Sequence, residues 1–219
     1  MNEQKIKEMS KELLESDTNI FHLYKVSRVI PFSPTNKLSI VLISVLSFII
    51  SLGINQEQIV DKINNFSPII LGCVATITGF LIAGYTVFCS VTEPKLSVLL
   101  HLAGKREYGI SKLKITHLKF IRVFIYYIFY AVSLIFIIAF SGENKILYII
   151  FDEKSNYINC FFKIVNLLVF NWIIIFFIFL LIQLGAFVFN IYHSIMTAIC
   201  AYPYTSKINF DKNDNNKGR

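Results

Sequence analysis

Apolar residues in this chain come in long uncharged runs rather than in the short periods of a water-soluble fold. Four runs stand out, at 38–54, 68–92, 123–140 and 170–193, and none contains Asp, Glu, Lys or Arg. An α-helix needs about 20 apolar residues to cross the hydrocarbon of a bilayer. The pattern therefore predicts an all-α polytopic membrane protein with four transmembrane helices in a membrane domain over 38–201. A cytoplasmic amphipathic segment at 1–37 precedes it, and the polar tail at 202–219 is expected to be disordered. The first run is short and carries Ser39, Ser44, Ser47 and Ser51, so it needs a partner helix. Residues 55–66 read as a brief polar loop. The apolar piece at 146–151 is too short to cross and reads as interfacial.

The second run organises the rest. Turned at about 100° per residue, it gathers Gly72, Ala75, Thr76, Gly79, Ala83, Thr86 and Ser90 within an arc of roughly 100°. Lipid gives helices no hydrophobic reason to associate, and small residues four apart permit close backbone approach. Glycine and alanine are also common in membrane helices generally. The stripe marks a helix-packing face, within the chain or between copies.

Near the N-terminus, Ile6, Met9, Leu13 and Leu14 recur at helical spacing. A second patch, Ile20, Phe21, Leu23, Tyr24 and Val26, is flanked by Lys25 and Arg28. It suits a helix on anionic headgroups or one packed on another cytoplasmic part of the protein. Thr92 before Glu93-Pro94 signals a helix start. Ser111 reads as the cap of a helix running into the third span. Trp172 and Tyr192 lie about 30 Å apart along the fourth and suit its interface anchors.

Composition fixes the class. Apolar residues make up 55% of the 219 and charged residues 16%, so the net charge of +7 reads as topology and lipid contact before nucleic acid. Seventeen of the 21 Lys and Arg fall before residue 38, between 93 and 122, or after 190. By the positive-inside rule both termini and the middle loop are cytoplasmic. The middle loop carries Lys105, Arg106, Lys112, Lys114, Lys119 and Arg122, facing lipid or a soluble partner. Nucleic acid is not expected as a direct partner.

Candidate chemistry is sparse. The four cysteines form no C-x-x-C, and the histidines share no metal-ligand spacing with Cys or acidic partners. No nucleophile elbow, phosphate-binding glycine loop or H-E-x-x-H is present. The spans lack the carboxylate of coupled transport. No enzyme activity, cofactor or metal is expected. The fourth span does carry Gln183, Asn190, His193, Ser194 and Thr197 along one arc, with Ala186 among them and Asn171 nearer the other end. Such groups either hydrogen-bond between helices or line a pore built from several copies.

The layout resembles the small multi-spanning membrane effectors of bacterial anti-phage systems, those of retrons and some CRISPR-associated operons. The residues that carry the likeness are Gly79-Phe80-Leu81-Ile82-Ala83-Gly84, the Thr92-Glu93-Pro94-Lys95-Leu96 exit, the basic middle loop and the short cytoplasmic ends. The resemblance is architectural, spans about 38–201 and transfers no functional residue. It implies a protein of the bacterial inner membrane, held inactive by a partner encoded nearby, that permeabilises the membrane in abortive infection; the small-residue face adds the expectation of a homo-oligomer. Colicin-immunity and superinfection-exclusion proteins share the size and layout. The alternatives are a non-enzymatic immunity, exclusion or anchor protein binding a soluble partner, and a small channel or transporter subunit.

Overall fold

The computed structural model describes residues 19–91, 112–141 and 156–216. All secondary structure among them is α-helical, in five helices: α1 (Ile20–Ser27), α2 (Pro34–Leu52), α3 (Gln56–Val91), α4 (Lys112–Ser141) and α5 (Asn156–Asn216). Three segments are long and apolar enough to cross a membrane: Gln56–Ser90, Lys114–Phe140 and Cys160–Thr197. The apolar part of α2, Asn36–Leu52, is shorter. The protein is a membrane protein by this measure.

The helices run past several expected boundaries. The stretch 55–66, read as a loop, is helix from Gln56 onward. The reason is a continuous packed ridge: Ile59, Ile63, Ser67, Ile70 and Val74 are all buried at three- and four-residue spacing. Pro68 lies inside α3 without ending it, and the Ser67 hydroxyl donates to the carbonyl of Ile63 at 2.6 Å beside it. Helix α5 reaches Asn216, so residues 202–216, read as a disordered tail, are helical. Extending an existing helix avoids the cost of nucleating a new one. The N-terminal periodic stretch before 19, the middle loop from 92 to 111 and the short apolar piece at 146–151 lie outside the described residues.

The chain divides into two compact units. One comprises Phe32–Phe80 and Phe124–Leu184. Within it, α4 grips the backbone of α5 with two buried tyrosines. The Tyr127 hydroxyl donates to the carbonyl of Leu180 at 3.0 Å, and that of Tyr130 to the carbonyl of Ile173 at 2.6 Å. Rings fill the seam: Phe176 stacks on Tyr130 with centroids 5.0 Å apart, and Phe179 meets Tyr126 at 5.4 Å. Helix α2 joins through Asn171 of α5. Its carbonyl oxygen accepts from the Ser47 hydroxyl at 2.7 Å, and its NH₂ donates to Ser51 Oγ at 2.8 Å and to the carbonyl of Leu167 at 2.9 Å. Ser47 and Ser51 of α2 thus turn inward while Leu38, Val41, Leu42, Val45, Leu46, Ile49 and Ile50 are exposed. That is inverted relative to a water-soluble helix and matches a lipid-facing one.

The second unit comprises Met1–Pro31, Leu81–Val123 and Gly185–Arg219. An aromatic cluster of Phe88, Phe120 and Phe187 ties α3, α4 and α5, with centroids 4.9 and 5.0 Å apart in succession. Gly84 sits against it: a Cβ there would approach Ile191 Cδ1 to 3.2 Å and Phe187 Cε1 to 3.4 Å. Leu23 and Val26 of α1, with Ile30 just past its end, pack on Ile115 and Leu118 of α4.

Candidate functional site

The small-residue stripe of α3 faces outward along its whole length. Gly72, Ala75, Thr76, Gly79, Ala83, Thr86 and Ser90 are all exposed. The buried residues of the same helix, from Ile59 through Val74 and Leu81 to Phe88, lie roughly 180° away at about 100° per residue. A Cβ added at Gly72 or Gly79 would meet nothing within 4 Å. Among the described residues, packing uses the other face of α3, and the glycine it closes on is Gly84. The sequence offered a signal for Gly84 only in its displacement from the stripe.

The stripe is a shallow groove. Exposed Ile69, Phe80 and Val87 lie on one side of it and exposed Ile82 on the other. Its hydroxyls point along the helix itself. Thr76 donates to the carbonyl of Gly72, Thr86 to that of Ile82 and Ser90 to that of Thr86, each at 2.9 Å. Their donors are satisfied at home, so the groove offers contour and backbone proximity rather than hydrogen-bond donors.

The polar residues of α5 do not share one environment. Gln183 is 3% exposed, and its amide nitrogen has no hydrogen-bond partner. Asn190, Ser194 and Thr197 are half-buried, whereas His193 is exposed. The His193 ring stacks on Phe189 at 6.2 Å, and its backbone carbonyl accepts from the Thr197 hydroxyl at 2.8 Å. Trp172 and Tyr192 are both exposed.

The basic set also divides. Lys105 and Arg106 lie outside the described residues, as does the side chain of Lys112. Lys119 is half-buried. Lys114 and Arg122 turn inward, at 9% and 7% exposure. The Arg122 guanidinium reaches the end of α1, where one NH₂ donates to the carbonyl of Ile30 at 2.7 Å and to that of Ser27 at 3.2 Å. Terminal carbonyls of a helix carry partial negative charge and lack partners in the helix, which is why a cation settles there.

Three arrangements have no local signature in the sequence. The Asn171–Ser47–Ser51 cluster was visible only as separate polar residues, although Ser47 and Ser51, four apart, share one face of α2. The grip of Arg122 on α1 spans more than 90 residues. The third is Tyr85 with His117: the hydroxyl lies 2.9 Å from Nδ1, and both rings pack against Phe88.

Comparison of the chain with family models, with curated proteins and with solved structures finds no match in any of the three.

Proposed function

We propose that the protein is a four-span effector of the bacterial inner membrane that associates with further copies of itself through the α3 groove and permeabilises the bilayer. Helix α2 is the fourth span. Its apolar part, Asn36–Leu52, is about 26 Å long at 1.5 Å per residue, slightly short of the ~30 Å hydrocarbon core. Its inward serines and outward aliphatic residues suit lipid. The distribution of Lys and Arg supports an orientation with both termini in the cytoplasm.

The observation that carries the reading is the outward α3 stripe, directly opposite the face used for folding. A folded chain that keeps its closest-approach surface unused has that surface available to another helix. One copy encloses too few helices for a water-filled path, so permeation requires assembly. The layout shared with anti-phage effectors supplies the setting, release from a partner during infection. The competing reading, an anchor that recruits a soluble partner through the basic stretch, draws less support. Arg122 and Lys114 are turned into the protein rather than toward one.

Reconstitution tests this without any partner to hold the protein off. Purified protein in liposomes should release an entrapped dye at protein densities where assembly is detected, and induced expression should depolarise cells. Gly79→Leu at equal protein level should do neither. Dye retention by wild-type assemblies would overturn the reading.

A further inference from the structure

Helix α1 has two faces. The packed face holds Leu23 and Val26, continued by Ile30 just past its end, against Ile115 and Leu118 of α4, and Ser27 is buried. Opposite it, at about 100° per residue, Phe21, Lys25 and Arg28 form one stripe, all exposed. Phe21 is 81% exposed, and Ile20 and Val29 on its flanks are also open. Helix α1 contains no acidic residue. An aromatic ring followed by two cations along an exposed helix face is what an anionic interface selects: the ring enters the boundary between headgroups and acyl chains while the cations meet phosphates.

The position of α1 on α4 decides the occupant. Its packing partners, Ile115, Leu118 and Arg122, belong to the cationic start of α4, together with Lys114 and Lys119. Beyond Arg122 the helix is free of charge through Phe140. The charged end of a membrane helix lies at headgroup depth, so α1 is held at that depth. The Arg122 grip on the carbonyls of Ser27 and Ile30 fixes its C-terminal end. The N-terminal end is closed by Asn19, whose side chain accepts from the N–H of His22 at 2.8 Å. We infer that α1 is a lipid-contacting strap: Phe21, Lys25 and Arg28 bind the anionic phospholipid headgroups around the protein. This needs only that α4 lies in a bilayer and is independent of permeabilisation.

The experiment is hydrogen exchange of α1 in the full-length protein, in nanodiscs of phosphatidylcholine alone and of phosphatidylcholine mixed with phosphatidylglycerol. Exchange of the α1 amides should be slower in the anionic discs. Lys25→Gln with Arg28→Gln should erase most of that difference, at about 5-fold per cation removed, the equivalent of about 1 kcal/mol each near an anionic surface. Both side chains are exposed, so the packed face of α1 stays intact. As a second readout, Phe21→Trp in a Trp172→Phe background should be shielded from an aqueous quencher in anionic discs and should be quenched by shallow brominated lipid. Equal protection in both disc types, or a Trp at position 21 open to the aqueous quencher in anionic discs, would overturn the inference. It would give the face to a soluble protein or leave it in water.

Discussion

Replacing Gly79 by leucine should affect the monomer and the assembly in opposite directions. In the monomer a Cβ at position 79 meets nothing within 4 Å and the position is exposed, so the leucine has room to point outward. Leucine is also the better helix former by about 0.5–1 kcal/mol. The folded chain should therefore melt at the same temperature or slightly higher. In an assembly packed on the groove, the leucine would hold two backbones apart. That forfeits on the order of ten atom pairs at about 0.1–0.2 kcal/mol each, or about 1–2 kcal/mol and roughly tenfold in association. Energy transfer between donor- and acceptor-labelled protein in liposomes, followed as the protein-to-lipid ratio is lowered, measures the second quantity. A thermal melt in detergent measures the first. The double variant Thr76→Val with Thr86→Val is the counterpart. Both hydroxyls donate within α3, so association should survive their loss. Unchanged association in Gly79→Leu would refute the groove as the contact. Loss of association only in the threonine variant would mean that hydrogen bonds, not close approach, join the copies.

Two further outcomes follow from the polar groups inside the protein. Asn171→Ala removes both bonds to α2 and should cost about 1–3 kcal/mol. A double-mutant cycle with Ser51→Ala should show coupling of about 0.6–1.7 kcal/mol, the range for interhelical hydrogen bonds in membranes, and strict additivity of the two unfolding free energies would count against the cluster. Gln183→Leu keeps a similar volume and removes a buried amide nitrogen that has no partner. It should stabilise the protein by about 1–3 kcal/mol, read as a rise in melting temperature of about 2–4 °C per kcal/mol, and a lower melting temperature would contradict the burial.

The parts of the fold legible in the sequence were those that composition alone dictates. Uncharged runs marked the cores of α3, α4 and α5 because lipid exposure forbids charge over some 20 residues regardless of packing. Boundaries were less legible. Residues 55–66 read as a polar loop, yet Ile59 and Ile63 continue the buried ridge of α3, and packing outweighs local polarity. The stripe of α3 could be found by spacing, but spacing cannot say which side of a helix faces inward. Here Val74, Leu81 and Phe88 took the interior, and the small residues were left outside. Arg122 reads with the loop because its neighbours in sequence are basic. Its partners are carbonyls more than 90 residues away, and no local pattern encodes them. Asn171 likewise reads as one polar residue in an apolar run until α2 brings Ser47 and Ser51 to it.

The grips that α4 exerts share one property. Arg122, Tyr127 and Tyr130 all bond main-chain carbonyls, those of Ser27 and Ile30, of Leu180 and of Ile173. A carbonyl is supplied by every amino acid, so the receiving helices can change residue at these positions without surrendering the bond, provided shape is kept. The donors have no such freedom, since few side chains carry a hydroxyl or guanidinium to that reach. The inheritance of these grips therefore rests unequally on its helices: Ser27, Ile30, Ile173 and Leu180 can drift in sequence while Arg122, Tyr127 and Tyr130 hold still, so that α4 would be the part by which a distant relative is best sought.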